Sequence, residues 1–561
     1  MSHEPQQRTD VKGNVMRCQF NRAAICVVWG WFAMLPLATR AQAVPPSQAP
    51  QIDPAALQRN DADRRRYLEQ QPQAQPPGPV LVDEQPVAAP EQGSQVRFIL
   101  KELRFDPSFF LTQEQLASVA AKYVGTEINY GGLSAIVDDI NALYRERAIL
   151  TGRAILQSQQ ITQGVVKISL VEGRLGTVTV EGNKRLSTAY AVNWLQAEPA
   201  KVLDTAALQE RIELFNLSDR SRMEARLRPG ADFGMTDILL ELSEPPLVPL
   251  RVFADNEGAE SVGREQVGFE TGLNGLLGID DRILLNATHS KGSTPISMSY
   301  SIPLNQSGGR GTLSHSDIKT SVIAGPYRAL DITGQSKTTQ LTISQPLAKH
   351  DIWRYDGAVS VGHTSASNLI SGEVLSNTNI DNLTLGLNAI GRDPNRTLAA
   401  GLNTTLVSFA SLGQARHSAS ATQLSGTWLE RIGANGYSIL RSTVQYSTAN
   451  VLPSTMLLQL GGTTSVRGYT SGAVSGTDGY FLNAEYHHAL NASVSGILFV
   501  DSGNVRSAGV ASQRLSSAGF GLDCQLAKGV SLNWMAARAL KTVLPDQVNW
   551  QTTARISWEI L

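Results

Sequence analysis

Hydrophobic and polar residues alternate with a period of two along the C-terminal part of the chain, from Leu250 to Leu561. The last segment shows this most clearly, because every second residue from Trp550 to Ile560 is polar, including Arg555 and Glu559. Successive side chains of a β-strand point to opposite faces of its sheet. The pattern therefore predicts strands with one apolar face and one polar face.

Two folds can accommodate such strands: a soluble β-sandwich, with the apolar face inward, and a membrane barrel, with the apolar face outward. The alternating segments are about 9 to 12 residues long, as a tilted membrane strand requires, whereas sandwich strands cluster near 5 or 6. Charged residues such as Arg555 and Glu559 lie on the polar face, which a sandwich could not hide. About sixteen segments can be counted, and an even number suits a closed antiparallel barrel with an aqueous lumen. We expect a transmembrane barrel over residues 247–561.

Between the barrel and the N-terminal region, a mixed pattern of strands and helices occurs twice. The first copy, residues 96–174, predicts strands at 98–105, 154–158 and 165–171 and helices at 112–124 and 133–147. The second copy, residues 175–246, repeats that order with strands at 178–181, 223–227 and 236–242 and helices at 188–195 and 206–215. We expect two small tandem α/β domains.

The N-terminal 43 residues have the features of an export signal. Basic residues precede an apolar run from Ala23 to Leu37, and Ala41-Gln42-Ala43 supplies small residues for cleavage. That run is shorter than the roughly 20 residues of a spanning helix, which favours cleavage over anchoring. Residues 44–95 are rich in Gln, Pro and Ala, as in a linker. Within them, residues 55–70 could form a polar helix suited to a wet cavity, or could be disordered linker.

Composition excludes several classes of function. The formal net charge of the 561 residues is −1, so no basic surface for nucleic acid is expected. Two of the three cysteines, Cys18 and Cys26, lie in the predicted signal, which leaves Cys524 without a partner for a disulfide or a thiolate metal site. Phosphate-loop, zinc-protease and hydrolase motifs are absent from the sequence. We expect no enzyme activity, no cofactor and no metal.

Three motifs stand out in the barrel region. The longest connection between strands, residues 447–478, holds the first, and the second lies on a later strand whose alternation turns Phe499, Asp501 and Gly503 toward the lumen. Arg467 is the expected partner of that carboxylate, because an arginine fork can hold a carboxylate through two parallel hydrogen bonds. The motifs are Val466, Arg467, Gly468 and Tyr469; Phe499, Asp501 and Gly503; and Asp255, Asn256 and Gly258 at the start of the barrel.

With these motifs the sequence resembles the two-partner secretion transporters, a branch of the Omp85 superfamily that includes haemolysin and filamentous-haemagglutinin secretion proteins. The resemblance covers nearly all of the chain after the signal. It implies two polypeptide-transport-associated (POTRA) domains in the periplasm, a sixteen-stranded barrel in the outer membrane, an N-terminal helix that plugs the pore, and an inward-folded loop carrying Arg467. The first repeat ends in Val166-x-Ile168-x-Leu170-Val171-Glu172-Gly173, as such domains do.

The resemblance also implies a function. We expect a monomeric translocator that recognises an unfolded exoprotein, of the adhesin or cytolysin class, through its POTRA domains and conducts it across the membrane. The alternative is a factor that inserts other outer-membrane proteins, since such factors share the arginine loop. The contact between Arg467 and Asp501 could serve only as a structural staple, or it could hold the loop in the state competent for transport. Residues 133–147 and the edge strand at 154–158 are candidates for client recognition.

Two residues depart from the family pattern. The chain ends in Leu561, where many outer-membrane proteins have an aromatic residue that the assembly machinery reads. Glu257 stands in the third motif where an aromatic or small residue is common. The first departure concerns the efficiency of assembly rather than the fold.

Overall fold

The computed structural model describes residues 53–59, 63, 80–82, 96–325, 327–544 and 547–560. The predicted export signal and most of residues 44–95 lie outside this range. Across the described part of the chain, no helix combines the length and apolar character needed to cross a membrane.

The first α/β domain packs two helices against a small sheet. Its elements are β2 (Phe98–Ile99), β3 (Glu102–Phe105), α1 (Gln113–Ala121), β4 (Glu127–Ile128), α2 (Tyr130–Glu146), β5 (Gly152–Ile155) and β6 (Val165–Glu172), and the sheet has the order β3-β6-β5. The predicted strand at 98–105 is two strands, because the chain changes its pairing partner between them: Phe98 and Ile99 pair with β4, and Glu102–Phe105 pair with β6. Apolar residues of α2, among them Ile136 and Ile140, are fully buried in the core.

The second domain repeats this arrangement with larger buried side chains. Its elements are β7 (Arg174–Glu181), α3 (Thr188–Leu195), α4 (Thr205–Ser218), β8 (Arg222–Pro229) and β9 (Met235–Ser243). Trp194 and Phe215 meet edge to face in its core, with ring centroids 5.4 Å apart. A short upstream strand, β1 (Val80–Val82), pairs in parallel with β8 and completes a sheet of order β1-β8-β9-β7.

A glutamate at the end of the last strand has the same task in both domains. Glu172 accepts hydrogen bonds from the backbone N–H groups of Phe109 and Phe110 and from the Tyr144 hydroxyl. Glu244 accepts the N–H groups of residues 184–186. Each carboxylate thus provides hydrogen-bond acceptors for the backbone N–H groups of the loop that leads into the first helix of its domain. This shared detail supports an origin of the two domains from one repeated unit.

The C-terminal region forms a closed barrel of sixteen antiparallel strands, which confirms the predicted fold. In chain order the barrel strands are β10 (Leu250–Asp255), β11 (Gln266–Asn274), β12 (Arg282–Ser290), β13 (Ser293–Pro303), β14 (Arg310–Ser321), β15 (Ile332–His350), β16 (Trp353–Ile370), β17 (Glu373–Arg392), β18 (Arg396–Ser411), β19 (His417–Ile432), β20 (Gly436–Ser447), β23 (Asp478–Ala489), β24 (Val494–Ser507), β25 (Val510–Ala527), β26 (Val530–Ala539) and β27 (Trp550–Ile560). The first strand closes the barrel by pairing with the last, from Leu250 opposite Ile560 to Asp255 opposite Arg555.

Side chains alternate between lipid and lumen as predicted. On β24, Leu498 and Val500 expose 62% and 57% of their surfaces on the outside, whereas Phe499 and Asp501 are buried inside. Because hydrocarbon cannot hydrogen-bond, the polar residues of the part of each strand that crosses the membrane lie on the inner face. The lumen is therefore the polar compartment of the molecule.

Several strands are much longer than the predicted 9 to 12 residues. β15, β16 and β17 span 19, 18 and 20 residues. Their outward positions change from apolar residues such as Leu341 to polar ones such as Lys337 toward the end farthest from the α/β domains. The length prediction was wrong for these strands because it counted only the part that crosses hydrocarbon.

The second α/β domain is fastened to the near rim of the barrel by a buried charged joint. Arg310 at the start of β14 contacts Asp219 at 3.1 Å and Asp280 at 3.5 Å. Asp280 also accepts the backbone N–H groups of Arg220 and Ser221. Burial raises the pKa of Asp219 to about 7, and the neighbouring Asp280 carboxylate adds to the rise against the contacts from Tyr190 and Arg310.

Candidate functional site

The connection between β20 and β23, residues 448–477, folds back against the inner wall of the barrel; we call it the inward loop. It contains a small antiparallel hairpin of β21 (Leu458–Leu460) and β22 (Val474–Gly476). Apolar side chains of the loop, including Leu460 and Val466, are fully buried against residues of β24 and β25. A loop with its own core and a wall to pack against holds a defined position.

Arg467 at the tip of the inward loop meets Asp501 on β24. Its Nη2 lies 2.7 Å from Oδ1 and its Nε 2.9 Å from Oδ2, and its backbone N–H donates to Oδ2 at 3.0 Å. Asn483 and Ser517 donate to the same carboxylate at 2.8 and 3.2 Å. Arg467 and Asp501 are only 3% and 4% exposed, so this is a charge-assisted pair removed from bulk water.

A second carboxylate, Glu485 on β23, also holds Arg467. Its Oε1 forms an ion pair with Arg467 Nη1 at 2.9 Å and accepts a hydrogen bond from Arg441 Nη1 at 3.0 Å. Sequence reasoning missed Glu485. The signal for it was present, because Asn483, Glu485 and His487 occupy every second position of one strand and therefore share the lumen face.

Each remaining residue of the two motifs has a structural part. The guanidinium of Arg467 lies over the ring of Phe499, 3.6 Å from its centroid. A Cβ atom at Gly503 would lie 2.8 Å from a methyl of Leu460 and 3.0 Å from the carbonyl oxygen of Tyr480, so a larger residue would crowd the loop against the strand. Gly468 has φ +88°, a conformation that L side chains rarely adopt.

Tyr469 secures the far side of the loop tip. Its hydroxyl lies 2.9 Å from the carbonyl oxygens of Ser516 and Lys541 and also accepts the N–H of Ser516 at 3.3 Å. Strands β25 and β26 border these contacts. The tip is thus attached to the wall on both sides of Arg467.

The third motif lies at the far end of β10, opposite the α/β domains, rather than where the chain enters the barrel. Asp255 accepts Arg555 Nη1 at 3.1 Å and Gln266 Nε2 at 2.8 Å. The Asn256 side chain accepts the N–H of Ala554 at 2.8 Å. Gly258 lies in the connection that follows. The motif fastens the first strand to the last where the barrel closes.

Residues 54–59 form a helix inside the lumen. Gln58 accepts hydrogen bonds from Ser336 and Thr338 on the wall. On the other side, Arg59 Nη1 donates to the carbonyl oxygen of Thr455 at 2.7 Å, and Gln459 Nε2 donates to that of Ala56 at 3.1 Å. The helix therefore lies between the β15 wall and the inward loop.

Within the described residues, no group of three or more His, Cys, Asp or Glu side chains is arranged to hold a metal ion. The charged residues around the inward loop instead pair with each other. What the arrangement can do chemically is to hold or release two segments, the helix and the loop, in a water-filled barrel.

Comparison with known proteins decides the family. The family described as haemolysin secretion/activation protein ShlB/FhaC/HecB matches residues 234–525, and the ShlB-type POTRA domain matches residues 98–173. The chain belongs to the ShlB/FhaC/HecB family. Its barrel is accordingly an outer-membrane barrel, and its α/β domains extend into the periplasm.

Several curated proteins are similar to this member of the ShlB/FhaC/HecB family. The outer membrane transporter CdiB of Dickeya dadantii is 23% identical over 301 residues, which are 52% of this chain and 53% of that protein. The heme/hemopexin transporter protein HuxB of Haemophilus influenzae is 25% identical over 469 residues, 76% of this chain and 80% of that protein. The chain thus spans about half of the first relative and most of the second.

Solved structures share the fold of this family member. CdiB from Escherichia coli superimposes with a TM-score of 0.67 at 21% identity, covering 93% of this chain and 100% of that one. BamA from Haemophilus ducreyi lacking POTRA domains 1–3 gives a TM-score of 0.52 at 14% identity, covering 82% and 100%. At these identities the likeness concerns the fold alone.

Proposed function

We propose that this protein conducts an unfolded exoprotein from the periplasm through its barrel lumen to the cell surface. The observation that carries the proposal is the inward loop, held in the lumen by Arg467 between Asp501 and Glu485. A sixteen-stranded barrel is too wide for its own side chains to fill. Here the lumen holds two polar segments that can be released, which suits a gated protein channel.

In this proposal the arginine contact keeps the loop in the state competent for transport. Removing one partner of a buried ion pair strands the other and costs roughly 3 to 5 kcal/mol. R467A should therefore lose export of the partner while the barrel still inserts and resists denaturation by detergent. R416A, which removes an arginine from the outer surface, is the matched control. Normal export by R467A would contradict the proposal.

The alternative function, insertion of other barrels, requires the seam between β10 and β27 to open toward lipid. Two ion pairs, Arg251 with Glu559 and Arg555 with Asp255, cross this seam and favour a closed barrel. Ala254 and Ile556 are opposite each other in the register. A disulfide in A254C/I556C, made in a C524S background, should leave export intact. Loss of export on oxidation and recovery on reduction would favour the insertion factor instead.

We propose that the first POTRA domain recognises the client. In its sheet, β5 pairs with β6 on one side, and no other described strand pairs with it. The middle of the open edge is covered by Asn141 of α2, whose Oδ1 accepts the N–H of Ala154 at 2.8 Å. An extended client would displace this amide and continue the sheet through backbone hydrogen bonds.

The finer features of the client belong to the same proposal. The transporter works as a monomer, without catalysis, on an exoprotein of the adhesin or cytolysin class. Residues 54–59 plug the lumen in the resting state. Co-expression with a candidate exoprotein from the same genome, followed by assay of the medium, tests the class of the client directly.

A further inference from the structure

Glu485 is shared by three positively charged or proton-bearing side chains. Its Oε1 forms ion pairs with Arg467 and Arg441, and its Oε2 lies 2.9 Å from His487 Nε2. The Glu485 side chain is 4% exposed and that of His487 8% exposed, so solvent screens these contacts little. Whatever changes the charge of His487 therefore acts on the carboxylate that holds the inward loop.

The surroundings of His487 favour one neutral tautomer. Nε2 must carry the proton to donate to Glu485, which leaves Nδ1 as an unprotonated acceptor. Nδ1 is buried and, among the described residues, has no hydrogen-bond partner. It lies 3.8 Å from Oδ2 of Asp523 on β25, and the ring stacks on Tyr437 of β20 with centroids 4.6 Å apart. An acceptor that faces a carboxylate is a place for a second proton.

We propose that His487 is a proton-sensitive positioning residue. In its neutral form it keeps Glu485 in place for Arg467, and in its protonated form it weakens the contact between the barrel wall and the inward loop. This inference rests on the proposed function, because it takes the loop contact as the element that gates transport. It adds a control by pH to the proposed transport.

The direction follows from competition for one carboxylate. Around His487 lie Arg441 and Tyr437 on β20, Glu485 on its own strand, Asp523 on β25 and, through Glu485, Arg467 of the loop. A protonated imidazole would neutralise Glu485 and repel the guanidinium of Arg467. Acid conditions therefore favour release of the loop.

The pH range and the size of the effect follow from the general properties of histidine and of charge repulsion. Histidine is the side chain whose charge ordinarily changes between about pH 5 and 8. Two cations that share a carboxylate lie roughly 7 Å apart, and at an effective dielectric constant of about 20 to 40 their repulsion corresponds to a shift in the loop equilibrium on the order of tenfold.

Thiol alkylation in the full-length protein can measure that equilibrium. Ala473 lies in the apolar core of the docked loop and is 8% exposed, so a cysteine there reacts with a water-soluble maleimide only after release. The reporter variant is A473C, made in a C524S background. To remove the intrinsic pH dependence of thiols, the alkylation rate of A473C is divided by that of A492C. Position 492 is exposed in the turn between β23 and β24.

We expect the normalised rate to rise on the order of tenfold from pH 8 to pH 5.5 with His487 present, and to become independent of pH in H487Q. H363Q, which changes an exposed histidine on the outer surface, should keep the rise. An unchanged rise in H487Q, or a higher rate with the same slope, would overturn the inference. The R467A variant distinguishes a failure of this inference from a failure of the proposed function. Fast alkylation of R467A at every pH supports the role of Arg467 in holding the inward loop, and slow alkylation of R467A would refute the proposed function.

Discussion

Arg467 holds Asp501 through two parallel hydrogen bonds, Nη2 to Oδ1 at 2.7 Å and Nε to Oδ2 at 2.9 Å. The third nitrogen, Nη1, contacts Glu485. One planar guanidinium thus joins carboxylates from two neighbouring strands, β23 and β24. Lysine has one charged nitrogen at the end of a flexible stem and cannot reproduce this geometry.

R467K should therefore impair the inward loop although it keeps the positive charge. Losing one or two charge-assisted hydrogen bonds costs about 1.5 to 3 kcal/mol each. We expect export between that of the natural protein and that of R467A, with faster alkylation at position 473. Secretion into the medium and the alkylation rate would be measured on the same cells. Export by R467K equal to that of the natural protein would show that charge alone suffices.

The sequence predicted this contact because strand alternation is a local property. Period two at Leu498 to Val500 assigns Asp501 to the lumen without any knowledge of the fold. Glu485 was not found, although the same alternation assigns it to the lumen face together with Asn483 and His487. Its role depends on where the folded inward loop meets the wall, and alternation within β23 does not encode the position of the loop.

The protruding ends of the long strands were also beyond sequence reasoning. Above the hydrocarbon, Lys337 and Asp317 face outward into water, so the alternation of apolar and polar residues that marks a membrane strand disappears there. Backbone pairing, together with polar contacts such as that of Gln335 with Asp317, continues the sheet. The split of the predicted strand at 98–105 has another cause, because there the chain passes from pairing with β4 to pairing with β6.

The lumen helix should leave its site more readily once Arg59 is lost. Arg59 donates to the carbonyl oxygen of Thr455 at 2.7 Å, and this contact ties the helix to the inward loop. A lost hydrogen bond of this kind is worth about 1 kcal/mol, or roughly a fivefold change in population. R59A should therefore show open-channel events about five times as often in planar bilayers. R416A serves as the control, and an unchanged frequency in R59A would argue against a plug.

Asn141 should limit access of the client to the first POTRA domain. Its amide covers the backbone of Ala154 at the open edge of β5. N141A removes this competitor, so an unfolded N-terminal fragment of the exoprotein should bind the full-length transporter about fivefold more tightly, since one hydrogen bond is worth about 1 kcal/mol. N193A changes an exposed helical asparagine of the second domain and is the control. Weaker or equal binding by N141A would place the client elsewhere.

The joint between the second POTRA domain and the barrel should depend on pH through Asp219. Its carboxyl has a pKa raised from 3.8 to about 7, chiefly by burial and then by the charge of Asp280. The docked joint therefore binds a proton more readily than the separated chain does. Its stability is greatest near and below about pH 4, falls as the pH rises toward about 7, and is constant above that.

Hydrogen exchange measures this dependence at the joint itself. The backbone N–H groups of Arg220 and Ser221 donate to Asp280, so they exchange when the joint opens. After correction for intrinsic rates, their protection should be at least about tenfold higher at about pH 5.5 than at about pH 7.5, since one pKa unit is a factor of ten. D219N should remove the difference, and D232N, at an exposed position of the same domain, should retain it. Protection that rises with pH in the natural protein would mean that the ion pair with Arg310 outweighs burial, and that Asp219 is ionised throughout this range.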